Sequence, residues 1–428
     1  MTNKKVQNPW SWIPSLYFTE GLPYIIVMSV SVIMYKKLGL SNTDIALYTS
    51  WLYLPWVIKP FWSPFVDIIK TKRLWIILMQ LLIGGGMAGV AFTIPADNFV
   101  QYTMAFFWLI AFSSATHDIA ADGFYMIGLT EHQQSFFVGI RSTFYRIAML
   151  AGSGLFVIFA GYLEETTGSL PEAWSYSMLL LTAIFILAGL YHYFVIPKVE
   201  SFDSKDYSAQ NIAKEFAETF ILFFKKENIL LIISFILLYR LGESQLVKIA
   251  SPFLLDTREA GGLALSTKDV GFIYGTVGLI SLTIGGIIGG VLAAKDGLKK
   301  WLWPMLFAIN LPNLVYVYLA FFTPESYIVV ASCVAIEQFG YGFGFTAFML
   351  YIIYISEGKY KTAHYALATG FMALGMMLPG MASGIIQEFL GYKMFFIWVM
   401  ISTIPAFVIA RFVNISPTFG IKKQDEKS

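Results

Sequence analysis

The sequence predicts an all-α polytopic membrane protein: twelve transmembrane helices in two pseudo-symmetric six-helix halves. Three observations predict it. Of the 428 residues, 57% are hydrophobic and only 13% are charged, where soluble domains run nearer about 45–50% and about 25%. Twelve apolar runs follow one another, each long enough to cross a bilayer at about 20 residues per helix. The start of the second half also repeats the start of the first.

The runs lie at about 12–35, 45–66, 74–94, 99–128, 134–162 and 174–196, then at about 229–255, 268–294, 301–322, 327–355, 362–390 and 393–413. Residues 1–196 form the first bundle and 229–428 the second, which ends in a short cytoplasmic tail. Residues 197–228 form a cytoplasmic linker of mixed charge, in which Ile212, Phe216, Phe220 and Phe223 recur at helical spacing. That spacing predicts an amphipathic helix along the inner face. No cleavable leader is expected, because MTNKKVQNPWSW runs straight into the first apolar segment.

Basic residues set the orientation. With both termini inside, only Lys36, Lys37, Arg258, Lys268 and Lys393 of the loop and tail cations fall on the outside. Loops rich in Lys and Arg stay in the cytoplasm. The aromatic share of 17% suits a chain with two wet interfaces to anchor.

The repeat is local but specific. Leu38-Gly-Leu-Ser-Asn-Thr-Asp-Ile-Ala46 matches Leu263-Ala-Leu-Ser-Thr-Lys-Asp-Val-Gly271. In each, Ser41 or Ser266 would cap the next helix, with Asp44 or Asp269 in its first turn. Related halves with a site between them are the mark of a rocking transporter.

Several function classes are excluded or left without support. The single Cys333 rules out an intramolecular disulfide, and the four His are scattered without metal-ligand spacing. No cofactor and no metal is expected. The net charge of +2 gives no reason to expect a nucleic acid partner. His117 and Asp122 fit an H-x-x-x-x-D acyltransferase pattern, but they sit inside a span with no nucleophile or phosphate-binding loop, so no enzyme is expected.

Function is expected where charge lies at membrane depth. Such residues are costly and usually face a cavity or a partner. The fourth span reads AFSSATHDIAADGFYMIGL over 111–129, with Asp118 and Asp122 four apart on one helical face and His117 beside it. Glu20 lies in span 1, Lys59 in span 2, Arg141 and Arg146 in span 5, Arg240, Glu243 and Lys248 in span 7, and Glu337 in span 10. A pair between Asp118 or Asp122 and Arg146 is expected, with Lys59 as the alternative cation. A carboxylate that exchanges a cation for a proton is a coupling device, so Asp118, Asp122 and Arg146 are the expected proton-coupling residues. The same residues could instead serve only to lock helices together. Arg240 and Glu243, three apart, could pair within span 7. Lys248 either draws an anionic group inward or snorkels to the outer interface. Tyr24 and Tyr125 are aromatic surfaces near these charges, suited to a sugar ring.

The loop between spans 2 and 3, Ser63-Pro-Phe-Val-Asp67 followed by Lys70, Lys72 and Arg73, resembles the G-x-x-x-D-R-x-x-R-R loop of the major facilitator superfamily, with Ser63 in the Gly place. The resemblance implies gating roles for Asp67 and Arg73. It also implies that spans 1, 4, 7 and 10 line the cavity.

Glu20-Gly-Leu-Pro23, Lys59-Pro-Phe-Trp-Ser-Pro-Phe-Val-Asp67, Ala111-Phe-Ser-Ser-Ala-Thr-His-Asp-Ile-Ala-Ala-Asp122, Tyr145-Arg-Ile-Ala-Met-Leu150 and Glu337-Gln-Phe-Gly-Tyr-Gly-Phe-Gly344 resemble the AmpG muropeptide permeases of that superfamily. The likeness covers nearly all the spans. It implies a major facilitator fold and a proton-driven secondary transporter that imports an amino sugar or muropeptide. It further implies a bacterial cytoplasmic membrane, with proton, small molecule and lipid bilayer as partners and a monomer as the working unit. Asp118, Asp122, Arg146 and Glu337 carry over as functional positions. Glu20, Tyr24, Lys59, His117, Tyr125, Arg240, Glu243 and Glu337 make the expected substrate lining. The span-4 pattern of the family, Q-D-I-x-x-D-A-x-[KR]-x-D, departs here at His117, Tyr125 and Ile127.

Overall fold

The computed structural model describes residues 8–69, 71–129, 131–199, 209–357 and 361–420. Among them there are helices, turns and loops but no strand, as a chain without water at mid-bilayer requires of its backbone. Large apolar side chains such as Leu230, Ile328 and Phe389 point outward, the mark of a surface solvated by lipid.

Ten helices among the described residues are long and apolar enough to cross a membrane. They are span 1 (Pro9–Lys37), span 3 (Lys72–Thr93), span 4 (Phe99–Gly128), span 5 (Gly139–Thr167), span 6 (Leu170–Val195), span 7 (Ile229–Leu255), span 8 (Thr267–Asp296), span 9 (Leu298–Phe322), span 10 (Tyr327–Ser356) and one long segment, Ala363–Ala410. Two local breaks reconcile this set with twelve. Span 2 is divided at Leu52 and Tyr53 into Asn42–Trp51 and Leu54–Ile69, and Pro55 suits the first turn of the second piece. The long segment turns at Gly391, whose φ of 69° and ψ of 166° are not helical. A side chain there would be strained, so the glycine marks the joint between spans 11 and 12.

The expected caps form. Ser41 Oγ accepts from the Asp44 amide at 3.0 Å. Ser266 and Asp269 complete a reciprocal capping box. The linker helix, Ala209–Phe224, ends on a fully buried Phe223 stacked on Phe371 at 6.1 Å. Its last turn is therefore docked on span 11.

The chain divides into two compact units, Met1–Met34 with Ile58–Ile212, and Tyr35–Val57 with Ala213–Ser428. In unit 1 the core gathers Trp12, Leu16, Tyr17, Ile76, Phe124 and Tyr125, and Trp12 meets Phe124 edge-on at 5.2 Å. Spans 1 and 5 approach closely there: a Cβ on Gly21 would lie 2.8 Å from the Tyr145 carbonyl oxygen. In unit 2 the alternate glycines of span 10 serve two neighbours. A Cβ on Gly342 would lie 1.9 Å from the Leu282 oxygen of span 8, while Gly340 and Gly344 face the Ala308 and Met305 oxygens of span 9 at 2.2 and 2.4 Å. These glycines are packing surfaces on which three helices meet.

Unit 2 also holds the turn between spans 1 and 2. Lys36 Nζ pairs with Asp256 at 2.7 Å, and Tyr392 donates to that same carboxylate. Asn42 donates to Gln387 at 2.6 Å and to Tyr392 at 2.8 Å, while Thr43 Oγ1 donates to Glu388 at 2.7 Å. This polar clasp joins Tyr35–Val57 to the ends of spans 7 and 11.

Candidate functional site

In unit 1 the charged residues of spans 1, 2, 4 and 5 converge. Helical spacing puts Asp118 and Asp122 on one face of span 4, and each meets a different cation. Lys59 Nζ lies 3.4 Å from Asp118 Oδ2. Arg141 Nη1 lies 3.1 Å from Asp122 Oδ1. The same Nη1 donates to the Tyr17 hydroxyl at 3.0 Å, and that hydroxyl donates to Asp122 Oδ1 at 3.4 Å. The guanidinium lies between two rings, 4.8 Å from the centroid of Tyr17 and 4.9 Å from that of Tyr125. A cation over an aromatic face gains about 0.5–2 kcal/mol, so the two tyrosines hold Arg141 in addition to its carboxylate.

Glu20 completes the cluster. It is buried, and its Oε2 has no hydrogen-bond partner. One oxygen of Glu20, one of Asp118 and a ring nitrogen of His117 all lie within 4.8 Å of one another. Among the described residues of this cluster, three carboxylates thus stand with two cations, Lys59 and Arg141.

The pairing expected of Arg146 belongs to Arg141 instead. Five residues along a helix turn a side chain by about 140°, so the two arginines cannot share a face, and Arg146 is exposed. Tyr24 is half-buried on span 1, one turn beyond Glu20. Tyr125 donates its hydroxyl to the Gln134 carbonyl, which leaves its ring to Tyr17 and Arg141. Arg73 donates to the Tyr193 and Ile196 carbonyls and lies over the Tyr193 ring at 5.3 Å. A cation on the last carbonyls of a helix is favourable, so Arg73 fastens the start of span 3 to the end of span 6. Asp67 stands at the end of the helix Leu54–Ile69, and its side chain lies outside the described residues.

Arg240, Glu243 and Glu337 lie in unit 2. The helix of span 7 breaks at Arg240, whose φ of −113° and ψ of 22° are not helical. The pair with Glu243 expected from a spacing of three is not among the ion pairs formed by the described residues. The Arg240 Nη2 donates to the Tyr341 hydroxyl, and its guanidinium sits over Tyr341 at 5.0 Å and Phe345 at 4.9 Å. Glu337 accepts from Gln338 at 2.9 and 3.2 Å. Glu243 is buried, and its Oε2 has no hydrogen-bond partner. Lys248 does not snorkel. It is 1% exposed, donates to Thr49 at 2.9 Å and lies over the Tyr53 ring at 5.0 Å. The buried charges of this unit, Glu243 and Glu337 against Arg240 and Lys248, balance.

Charge alone does not reveal Gln80 and His192. Both are fully buried in unit 1; Gln80 is hydrogen-bonded to His117 of span 4 and His192 to Gln80. The available signal was a lone amide in the apolar run Leu74-Trp-Ile-Ile-Leu-Met-Gln-Leu-Leu-Ile83 and a His deep in span 6.

Comparison with known proteins places this arrangement. The family model described as Major Facilitator Superfamily matches residues 15–383. A Rickettsia felis protein assigned the name transporter AmpG 4 is 28% identical over 421 residues, covering 93% of this chain and 95% of its own. The anhydromuropeptide permease of Escherichia coli K12 is 24% identical over 409 residues, covering 92% of this chain and 77% of its own. A bacterial homologue of the human lysosomal transporter Spinster superposes with a TM-score of 0.70 at 14% identity, covering 96% of this chain and 97% of that one. A D-xylose–proton symporter superposes at 0.68 and 11%, covering 95% and 97%.

Proposed function

The chain belongs to the major facilitator superfamily, and from that premise we propose that it is a proton-coupled importer of an amino sugar released from the cell wall, an anhydro-muropeptide or its disaccharide. It would act as a monomer in a bacterial cytoplasmic membrane, with both termini in the cytoplasm. The observation that carries the proton is the charge imbalance of unit 1: Glu20, Asp118 and Asp122 against Lys59 and Arg141. An unbalanced carboxylate in a low-dielectric interior is costly, and one proton removes the excess. The cluster then closes away from water when protonated and substrate-loaded, and reopens when the proton leaves on the inner side. Asp118 and Asp122 keep their cations through the cycle or exchange them, and Glu20 is the carboxylate left to take the proton. In unit 1 Tyr24 offers a ring face to a sugar while Tyr125 holds Arg141; in unit 2 Arg240, over Tyr341 and Phe345, offers a cation to an anionic group. Asp67 and Arg73 would act at the inner gate, Arg73 through the span-6 carbonyls it holds.

The muropeptide assignment draws on the name of the Escherichia coli relative and on the span-4 and span-5 blocks. A second reading, import of another oligosaccharide, is favoured by the departures at His117, Tyr125 and Ile127. The test is uptake of labelled anhydro-disaccharide, with and without peptide, into proteoliposomes under an imposed pH gradient. Gradient-driven uptake by the wild type is expected, with Glu20→Gln losing the gradient dependence while retaining exchange of labelled for unlabelled sugar. Absence of uptake by folded wild-type protein sinks the muropeptide reading. Normal gradient-driven uptake by Glu20→Gln sinks the role given to Glu20.

A further inference from the structure

Behind the carboxylate cluster a chain of polar side chains runs through unit 1. Ser15 of span 1 lies 2.8 Å from Nε2 of His192, and Nδ1 of His192 lies 2.9 Å from Oε1 of Gln80. Nε2 of Gln80 donates to Thr19 at 3.0 Å and stands 3.0 Å from Nε2 of His117. Nδ1 of His117 has no hydrogen-bond partner. Thr19, Gln80, His117 and His192 are all buried.

The directions in this chain are fixed by counting protons. Thr19 has one hydroxyl proton, and it gives that proton to the Leu16 carbonyl at 2.9 Å. Toward Gln80 it can only accept, so the amide must present its NH2 to Thr19. The second proton of that NH2 points at His117 Nε2, which must therefore be the unprotonated nitrogen. The proton of the neutral ring then sits on Nδ1. A doubly protonated ring would oppose N–H to N–H at Gln80, so the same contact disfavours the cation. At the other end, the amide oxygen accepts from Nδ1–H of His192, whose Nε2 faces the Ser15 hydroxyl.

We infer that Gln80 and His192 are positioning residues that hold His117 as a neutral imidazole protonated at Nδ1, the ring nitrogen without a hydrogen-bond partner, beside the carboxylates of Glu20 and Asp118. His117 then keeps a fixed N–H to offer within the coupling site, and is neither the proton carrier nor a metal ligand. The cluster has the donor set of a cation site, but Nδ1 has no lone pair to give, and Lys59 at 3.4 Å from Asp118 repels a cation. The charged and titratable groups around the ring are Glu20 from span 1, Lys59 from span 2, Asp118 from its own span and, through Gln80 of span 3, His192 from span 6. The inference deepens the reading of this cluster as the coupling site and rests on it for its functional half. Its structural half, the tautomer, stands alone.

The test is 15N NMR of histidine-labelled protein in nanodiscs, with His117 assigned by the signal lost in His117→Asn. The expected result is a neutral His117 protonated at Nδ1 from about pH 5.5 to about 8, a range in which a free imidazole would titrate. Gln80→Glu places an acceptor opposite Nε2, so the proton moves to Nε2 or the ring becomes a cation. Thr19→Val releases the amide and gives mixed tautomers without a new charge, which covers the case of Gln80→Glu failing to fold. In uptake, Gln80→Glu raises KM about ten-fold, the weight of one hydrogen bond to a charged group, and shifts the pH profile. An Nε2-protonated or cationic His117 in the wild type overturns the inference. So does an Nδ1 tautomer that survives both substitutions. The tautomer needs no substrate to be read, so a failed uptake assay would count against the transport reading alone.

Discussion

Arg141, and not Arg146, should be energetically coupled to Asp122. The perturbation is a double-mutant cycle, Arg141→Met with Asp122→Asn, beside a second cycle with Arg146→Met. At 3.1 Å and an effective dielectric of about 20, the gross attraction is about 5 kcal/mol. The side chains remain 27% and 41% exposed, so water screens most of that, and a net coupling of about 1–2 kcal/mol is expected. The two tyrosine rings hold Arg141 independently of Asp122, so Arg141→Met should cost more than Asp122→Asn. The double variant should recover part of the sum, because the carboxylate no longer lacks a counter-charge. Unfolding of the four proteins in one detergent, followed by fluorescence of the native Trp residues, gives the cycle. Additivity of Arg141 and Asp122 to within about 0.5 kcal/mol, or equal coupling of Arg146 to Asp122, would refute the assignment.

Gly342→Leu should destabilise unit 2 by about 3 kcal/mol or more, the upper end of overpacking and backbone displacement, because its Cβ would meet the Leu282 oxygen at 1.9 Å; Gly290→Leu, where nothing lies within 4 Å, should be nearly neutral, and thermal unfolding distinguishes them. Cysteines at Thr43 and Glu388, in a Cys333→Ser background, should be joined by a short bifunctional reagent, since those side chains meet at 2.7 Å. That cross-link should stop both net uptake and exchange if Tyr35–Val57 must leave spans 7 and 11 during the cycle. Undiminished transport by fully cross-linked protein would show the clasp to be permanent.

Most of the fold was legible because membrane spans advertise themselves. Long apolar runs, the paired Ser-x-x-Asp caps and the glycines of span 10 each carry a local physical cause, and each stands where that cause puts it. What escaped was contact across helices. A spacing of three promised an Arg240–Glu243 pair, but the helix breaks at Arg240 and the guanidinium lies over Tyr341 and Phe345. The choice of Arg146 over Arg141 failed for a related reason: which face of span 5 meets span 4 depends on rotation, and sequence does not state it. For Lys248 two readings stood open, a draw for an anionic group and a head that snorkels to the interface; the second fails because Thr49 and Tyr53 satisfy the ammonium in place of water. Gln80 and His192 were passed over because a neutral polar residue carries no charge to account for, although an unpaired amide in the bilayer is also costly.

The two units handle buried charge differently, and the difference argues for where coupling resides. In unit 2 the buried carboxylates and cations match in number, but the cations are held over aromatic rings and neither pairs with Glu243 or Glu337, so the balance there is one of count and not of contact. Among the described residues of the unit 1 cluster the third carboxylate has no matching cation, and the neighbouring imidazole, held neutral by Gln80, does not supply one. A mobile positive charge is the remaining way to balance Glu20. Adding a permanent cation there should therefore remove the dependence on the gradient. Gln80→Lys, which places an ammonium behind His117, is the direct trial. Uptake by that variant that remained fully gradient-driven would mean that the charge imbalance is not what couples the proton to the sugar.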